Sequence, residues 1–163
     1  SYSSNGQLND SIILKMQDLN LPKYSLKLKY DGSKSYIFDP IRKKYLIHTP
    51  EEWVRQNFIQ YLVQEKKYPA SLIAVEMGID VLATKKRCDI VLFNSSGKPD
   101  IIVECKAPSV KISQDTFDQV ARYNLTLNTN YLIVTNGMQH FVCVMDHENK
   151  CYHFLKEIPL YTK

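Results

Sequence analysis

The chain is 163 residues long, 44% hydrophobic and 23% charged, with a net charge of +4. That length buries the core of one domain, and no apolar run approaches the roughly 20 residues of a membrane-spanning helix. The four cysteines, Cys88, Cys105, Cys143 and Cys151, show no C-x-x-C spacing, so they read as reduced thiols of a cytoplasmic protein rather than a zinc or disulfide framework.

In chain order, residues 1–22 are polar and then mildly apolar up to Pro22, an N-terminal extension with room for a short docking helix. Residues 23–163 form the domain proper. Its first stretch, residues 23–44, holds seven basic residues against Asp31 and Asp39, a local +5 that leaves −1 for the rest. Alternation in Leu26-Lys27-Leu28-Lys29-Tyr30 before Asp31-Gly32 predicts a hairpin with a basic outer face. That face suits a phosphate backbone through Lys27, Lys29 and Lys43, and equally suits a lysine-protected edge strand.

Thr49-Pro50-Glu51-Glu52 opens a helix over residues 50–67, with Thr49 as N-cap, Pro50 at its first position and Glu52 closing a capping box. Val54, Phe58, Ile59, Leu62 and Val63 are its apolar stripe. A strand follows over residues 72–77, with Glu76 as an acid among apolar neighbours. Lys85, Lys86 and Arg87 precede the central feature, a hairpin of strands 88–93 and 100–105 joined by Asn-Ser-Ser-Gly-Lys-Pro. Closed symmetrically about Ser96 and Gly97, it sets Asp89 opposite Glu104 on one face, with Lys106 two residues further on. Neighbouring acids at the edge of an apolar core call for a cation, and hard divalent ions choose carboxylate oxygen. A solvated sheet end with a surface ion pair accounts for the same pattern.

A second helix is expected over residues 113–128, with Phe117, Val120, Ala121, Asn124 and Leu127 on one face and Gln119 and Tyr123 on its flank. A strand at 131–134 and a closing hairpin of 141–145 with 151–155 complete the chain. There is no Gly-x-x-x-x-Gly-Lys-Ser/Thr loop in the sequence, so no ATPase is expected.

Asp89, Glu104-Cys105-Lys106-Ala107-Pro108, Gln119-Val120-Ala121-Arg122-Tyr123 and Val134-Thr135-Asn136-Gly137, with Pro50 to Arg55 upstream, are ordered blocks. On them the chain resembles the PD-(D/E)xK nucleases, and among these the nuclease domain at the N-terminus of type I restriction enzyme R subunits. Cys88 stands where that superfamily has proline, and Pro99-Asp100 falls at the far end of the hairpin.

The resemblance implies an α/β, restriction-endonuclease-like fold, a central mixed sheet flanked by helices. It implies hydrolysis of DNA phosphodiester bonds with Mg²⁺, or Mn²⁺ as substitute, held by Asp89, Glu104 and the backbone carbonyl of Cys105. Lys106 would stabilise the transition state, and Gln119 and Tyr123 would shape the site. Glu52 and Glu76 are secondary acids and Arg87 is a phosphate contact. DNA and other restriction or defence-system subunits are the implied partners. A nuclease-derived binding module that no longer cuts, and a structural domain with a sheet-end ion pair, are the alternatives.

Overall fold

The computed structural model describes residues 16–81 and 84–163, with the side chains of residues 80, 81 and 84–86 outside the description. The expected docking helix falls mostly outside the described residues, as do the side chains of Lys85 and Lys86. Residues 16–22 are not helical. They lie across the domain: Trp53 Nε1 donates to Gln17 O at 2.9 Å, Asn20 N to Gly137 O at 2.9 Å, and Leu19 and Leu21 pack on the core. Gly137 has φ +86, and a Cβ built on it would stand 2.7 Å from Leu19 Cδ2, so glycine is required for that close approach.

Strands β1 (Leu28–Asp31), β2 (Lys34–Asp39) and β3 (Lys44–Ile47) form a separate antiparallel sheet. The basic hairpin is its first half, turning at Gly32 with Asp31 opposite Lys34. Lys27 Nζ lies 5.4 Å from the Phe38 ring centroid and Lys29 Nζ 5.6 Å from that of Tyr45, so both ammonium groups sit on aromatic faces. Arg42 departs from the basic outer face: its side chain is 15% exposed and bonded to Asp39.

Helix α1 (Pro50–Gln64) starts as its sequence dictates, with the Thr49 side chain accepting from Glu52 N at 3.0 Å. Val54, Phe58, Ile59 and Leu62 are fully buried. So are most of Glu52, Arg55, Gln56 and Asn57, which an amphipathic stripe does not anticipate. Six strands make the main sheet in the order β4 (Ile73–Val81), β5 (Thr84–Phe93), β6 (Pro99–Cys105), β7 (Tyr131–Thr135), β8 (His140–Asp146) and β9 (Cys151–Leu155). Only β6 and β7 pair in parallel, joined through helix α2 (Gln114–Asn124). This α/β mixed sheet flanked by helices is the expected architecture. Its two faces carry two cores: α1 covers Val75, Ile90, Leu92, Ile101 and Val103, and α2 covers Val91, Ile102, Leu132, Val134 and Cys143.

The central register is the expected one, with Ile90 opposite Val103 and Leu92 opposite Ile101. It shifts by one at Phe93, which faces Pro99, a residue with no N–H to give the ladder. A second irregularity lies at the other end. Glu76 has φ +52, left-handed backbone in mid-strand, and side-chain alternation inverts there in both strands. On β5, Cys88 and Val91 share the α2-side core although three residues apart, and on β4 Ala74 and Ile79 share it although five apart.

Candidate functional site

That inversion decides where the acids go. Under strict alternation Asp89 would share the face of Val91 and point with Glu104 toward α2. Instead its carboxylate turns to the α1 side, where Oδ1 accepts from Arg55 Nη2 at 3.1 Å and Oδ2 from the backbone N–H of Cys105 at 2.7 Å. Glu104 keeps its alternation on β6 and lines an open hollow of about 240 Å³ with Gln119, Val120 and Tyr123. The two acids therefore flank the β6 end from opposite sides. Glu104, Gln119 and Tyr123 come together as expected, and the single face shared by Asp89, Glu104 and Lys106 is replaced by two.

Arg55 is the hub of the α1 side. Its side chain is 5% exposed and bridges Glu52 at 2.7 Å, Asp89 at 3.1 Å, Glu76 at 3.4 Å and Glu51 at 3.5 Å. Arg42 joins Asp39 at 2.5 Å, Glu76 at 3.3 Å and Glu52 at 3.4 Å, and exposed Arg87 closes on Glu76 at 3.1 Å. Arg42, Arg55, Glu51, Glu52 and Glu76 line a second open hollow, of about 570 Å³, bounded by Pro50, Ile47 and Ala107. The left-handed turn at Glu76 brings its carboxylate to the arginines, whose charges hold it below the usual carboxylate range despite its partial burial.

Glu51 and Glu52 divide the roles expected of the α1 acid. Glu52 is committed to the interior: besides Arg55 it accepts from Gln56 Nε2 at 3.0 Å. Glu51, half exposed, faces Asp89. Burial and then the Asp89 charge raise its carboxyl above the ordinary value, while Arg55 and Lys106 act the other way. Lys106 follows the last residue of β6, so alternation no longer binds it, and its charge is felt on the α1 side. Burial first, then Asp89, Glu104 and Glu51, push the Cys105 thiol well above its usual range, with Arg55 opposing. Three acids thus surround one strand end.

Sequence reasoning missed Arg55, Arg42 and Asp39 as part of this centre, and preferred Glu52 to Glu51. The i, i+4 spacing of Glu51 and Arg55 and the i, i+3 spacing of Asp39 and Arg42 are the signals that pointed to them. Asp100, at the other end of the hairpin, accepts from Asn130 Nδ2 at 2.6 Å and is remote from the site. Lys27, Lys29 and Lys43 lie on or beside the three-stranded sheet and line neither hollow.

The donor set fits a hard divalent ion by its chemistry. Asp39, Glu51, Glu52, Glu76 and Asp89 outnumber Arg42, Arg55 and Arg87 in the α1-side cluster, and Glu104 adds a further acid across the strand. Each carboxylate oxygen has two acceptor sites, so Asp89 retains capacity beyond its two bonds. Among the described residues, no three of these acids bring their oxygens within 4.8 Å of one another, so they do not form a ready carboxylate cage.

The family model of the type I restriction enzyme R protein N terminus matches residues 50–159. The chain belongs to this family. The matched span of this R-protein N-terminal domain runs from the first residue of α1 through β9 and contains Asp89, Glu104, Lys106, Gln119 and Tyr123. No curated protein matches the chain. Among solved structures it is similar to a fragment described as a candidate HsdR subunit of a type I restriction enzyme from Vibrio vulnificus YJ016, at 20% identity and a TM-score of 0.48. That match covers 67% of this chain and 23% of the other. Among the described residues of the domain, no helix is long and apolar enough to cross a membrane.

Proposed function

We propose that this R-protein N-terminal domain is a PD-(D/E)xK nuclease that hydrolyses DNA phosphodiester bonds. The observation that supports the reading is that the end of β6, which carries Glu104 and is followed by Lys106, receives the Asp89 carboxylate on the Cys105 N–H at 2.7 Å. Asp89, Glu104 and the backbone carbonyl of Cys105 would hold a divalent ion. Mg²⁺, or Mn²⁺ in its stead, supplies the charge that polarises a scissile phosphate and acidifies its attacking water. Arg55 fixes the Asp89 carboxylate in place, and the Cys105 N–H fixes its other oxygen. Lys106 places an ammonium where negative charge grows on phosphorus. Gln119 and Tyr123 offer an amide and a phenol beside Glu104 to orient the nucleic acid. The partners proposed are DNA and the other subunits of a restriction system, in the cytoplasm.

Purified protein incubated with DNA should cut with Mg²⁺ and stop with EDTA. Asp89→Ala and Glu104→Ala should each lower cleavage by at least about 10²-fold, the equivalent of the several kcal/mol that a metal contributes. Undiminished cleavage in either folded variant overturns the assignment. DNA binding with no cleavage by wild type under any divalent ion would favour the non-cutting module.

A further inference from the structure

Away from this site, the turn end of the closing hairpin gathers three side chains of a different chemistry. Asp146 and Cys151 are opposed residues of β8 and β9, and His153, two residues beyond Cys151, projects to the same face. Their ligand atoms form a nearly equilateral triangle. Cys151 Sγ lies 3.8 Å from His153 Nε2 and 3.9 Å from Asp146 Oδ2, and Asp146 Oδ2 lies 4.0 Å from His153 Nε2. Among the described residues this is the one group of three His, Cys or acidic side chains whose ligand atoms all lie within 4.8 Å of each other.

Tetrahedral zinc, with bonds of about 2.3 Å to sulfur and about 2.0 Å to nitrogen and oxygen, spaces its ligand atoms about 3.3–3.6 Å apart. The triangle therefore needs to contract by only about half an ångström, and a His153 side chain that is 66% exposed turns freely enough to do it. The carboxylate is already oriented. Asn149 donates its backbone N–H to Asp146 Oδ1 at 3.0 Å and its side-chain amide to Oδ2 at 2.9 Å, the outer hydrogen bonds that steady a metal-binding acid. An Asp–His ion pair has no need of a thiol at the third corner.

We propose that Asp146, Cys151 and His153 form a site for a thiophilic divalent ion of the zinc class. The thiol gives up its proton to solvent on binding, and the fourth position stays open to water. The site lies on the outer strand β9, and it is chemically unlike the oxygen-donor set at Asp89 and Glu104. Soft sulfur and imidazole select the zinc class where carboxylates select magnesium.

Titration of the purified, reduced chain with Co²⁺ as a spectroscopic substitute tests this. One equivalent should produce a thiolate-to-cobalt charge-transfer band that Zn²⁺ bleaches. The band should vanish in Cys151→Ser, and His153→Ala and Asp146→Asn should each weaken binding tenfold or more. Asp89→Asn should leave it unchanged. Absence of the band, its survival in Cys151→Ser, undiminished affinity in His153→Ala, failure of Zn²⁺ to bleach it, or its loss in Asp89→Asn would each overturn the proposal.

Discussion

The two sides of the β6 end handle charge in opposite ways. On the α1 side the carboxylates of Asp39, Glu52 and Asp89 are held by Arg42 and Arg55, in a cluster whose central guanidinium is almost wholly buried. On the α2 side Glu104 stands in an open hollow between Gln119 and Tyr123. One strand thus borders both a buried charged cluster and an open hollow lined by a further acid. Cys105 and Glu104, adjacent on β6, border different surroundings, the arginine-bridged acids on one side and the hollow of Gln119 and Tyr123 on the other.

The comparison breaks most sharply at Arg55. Arg55→Ala leaves buried Glu52 without its shortest ion pair and should cost about 3–5 kcal/mol in urea unfolding, whereas Glu104→Ala should stay within about 0.5 kcal/mol. Equal losses in the two variants would dissolve the distinction between a structural and a chemical side. Lys106→Met tests the boundary between them. Turnover should fall about 10²-fold while calorimetry shows divalent-ion affinity kept or raised, since an ammonium beside the acids competes with the ion. Loss of both together would assign Lys106 to the structural side.

The lysines of the three-stranded sheet extend the contrast to the outermost charges. If they track phosphates, replacing Lys27, Lys29 and Lys43 together should flatten the log–log salt dependence of metal-free DNA binding by up to about three times 0.9 per phosphate, with no change in sequence preference. An unchanged slope would return them to protection of a sheet edge. The smallest expected effect is at Glu51. Its raised carboxyl holds a proton longer in the folded than in the unfolded chain, so stability falls as pH rises from the ordinary value of 4.5 through the raised one. Glu51→Gln should remove that decline, seen as a flatter series of urea midpoints across this range.

Much of this fold was legible because its signals are local. Thr49-Pro50 fixes the start of α1, and the symmetry of the Asn94 to Pro99 turn fixes the pairing of Ile90 with Val103. Polar sequence hid the rest. Lys85, Lys86 and Arg87 carry no strand pattern, yet β4 and β5 pair through them, with Arg87 opposite Gly78. Helix α2 ends at Asn124, short of the expected residue 128, and Leu127 reaches the core from the segment beyond it. Burial of Arg42 and Arg55 combines local partners, Asp39 and Glu52, with the distant acids Glu76 and Asp89, and periodicity does not report the distant ones. Neither does any glycine or asparagine announce the left-handed residue at position 76, and that one dihedral separates the face of Asp89 from the face of Glu104.

Glu76 also makes a seam between two pieces of sheet. Toward Ile73 the β4–β5 ribbon is locked to the interior by Val75, Ile90 and Leu92, where a one-residue slip would expose the core. Beyond the seam the same two strands run on from Met77 and Cys88 to Val81 and Thr84, and Ile79 and Cys88 join the α2-side core that strict alternation would deny them. The one left-handed residue therefore does two things at once: it changes the parity of the ribbon, and it stands opposite the residue whose carboxylate Arg55 and the Cys105 N–H hold at the centre of the site.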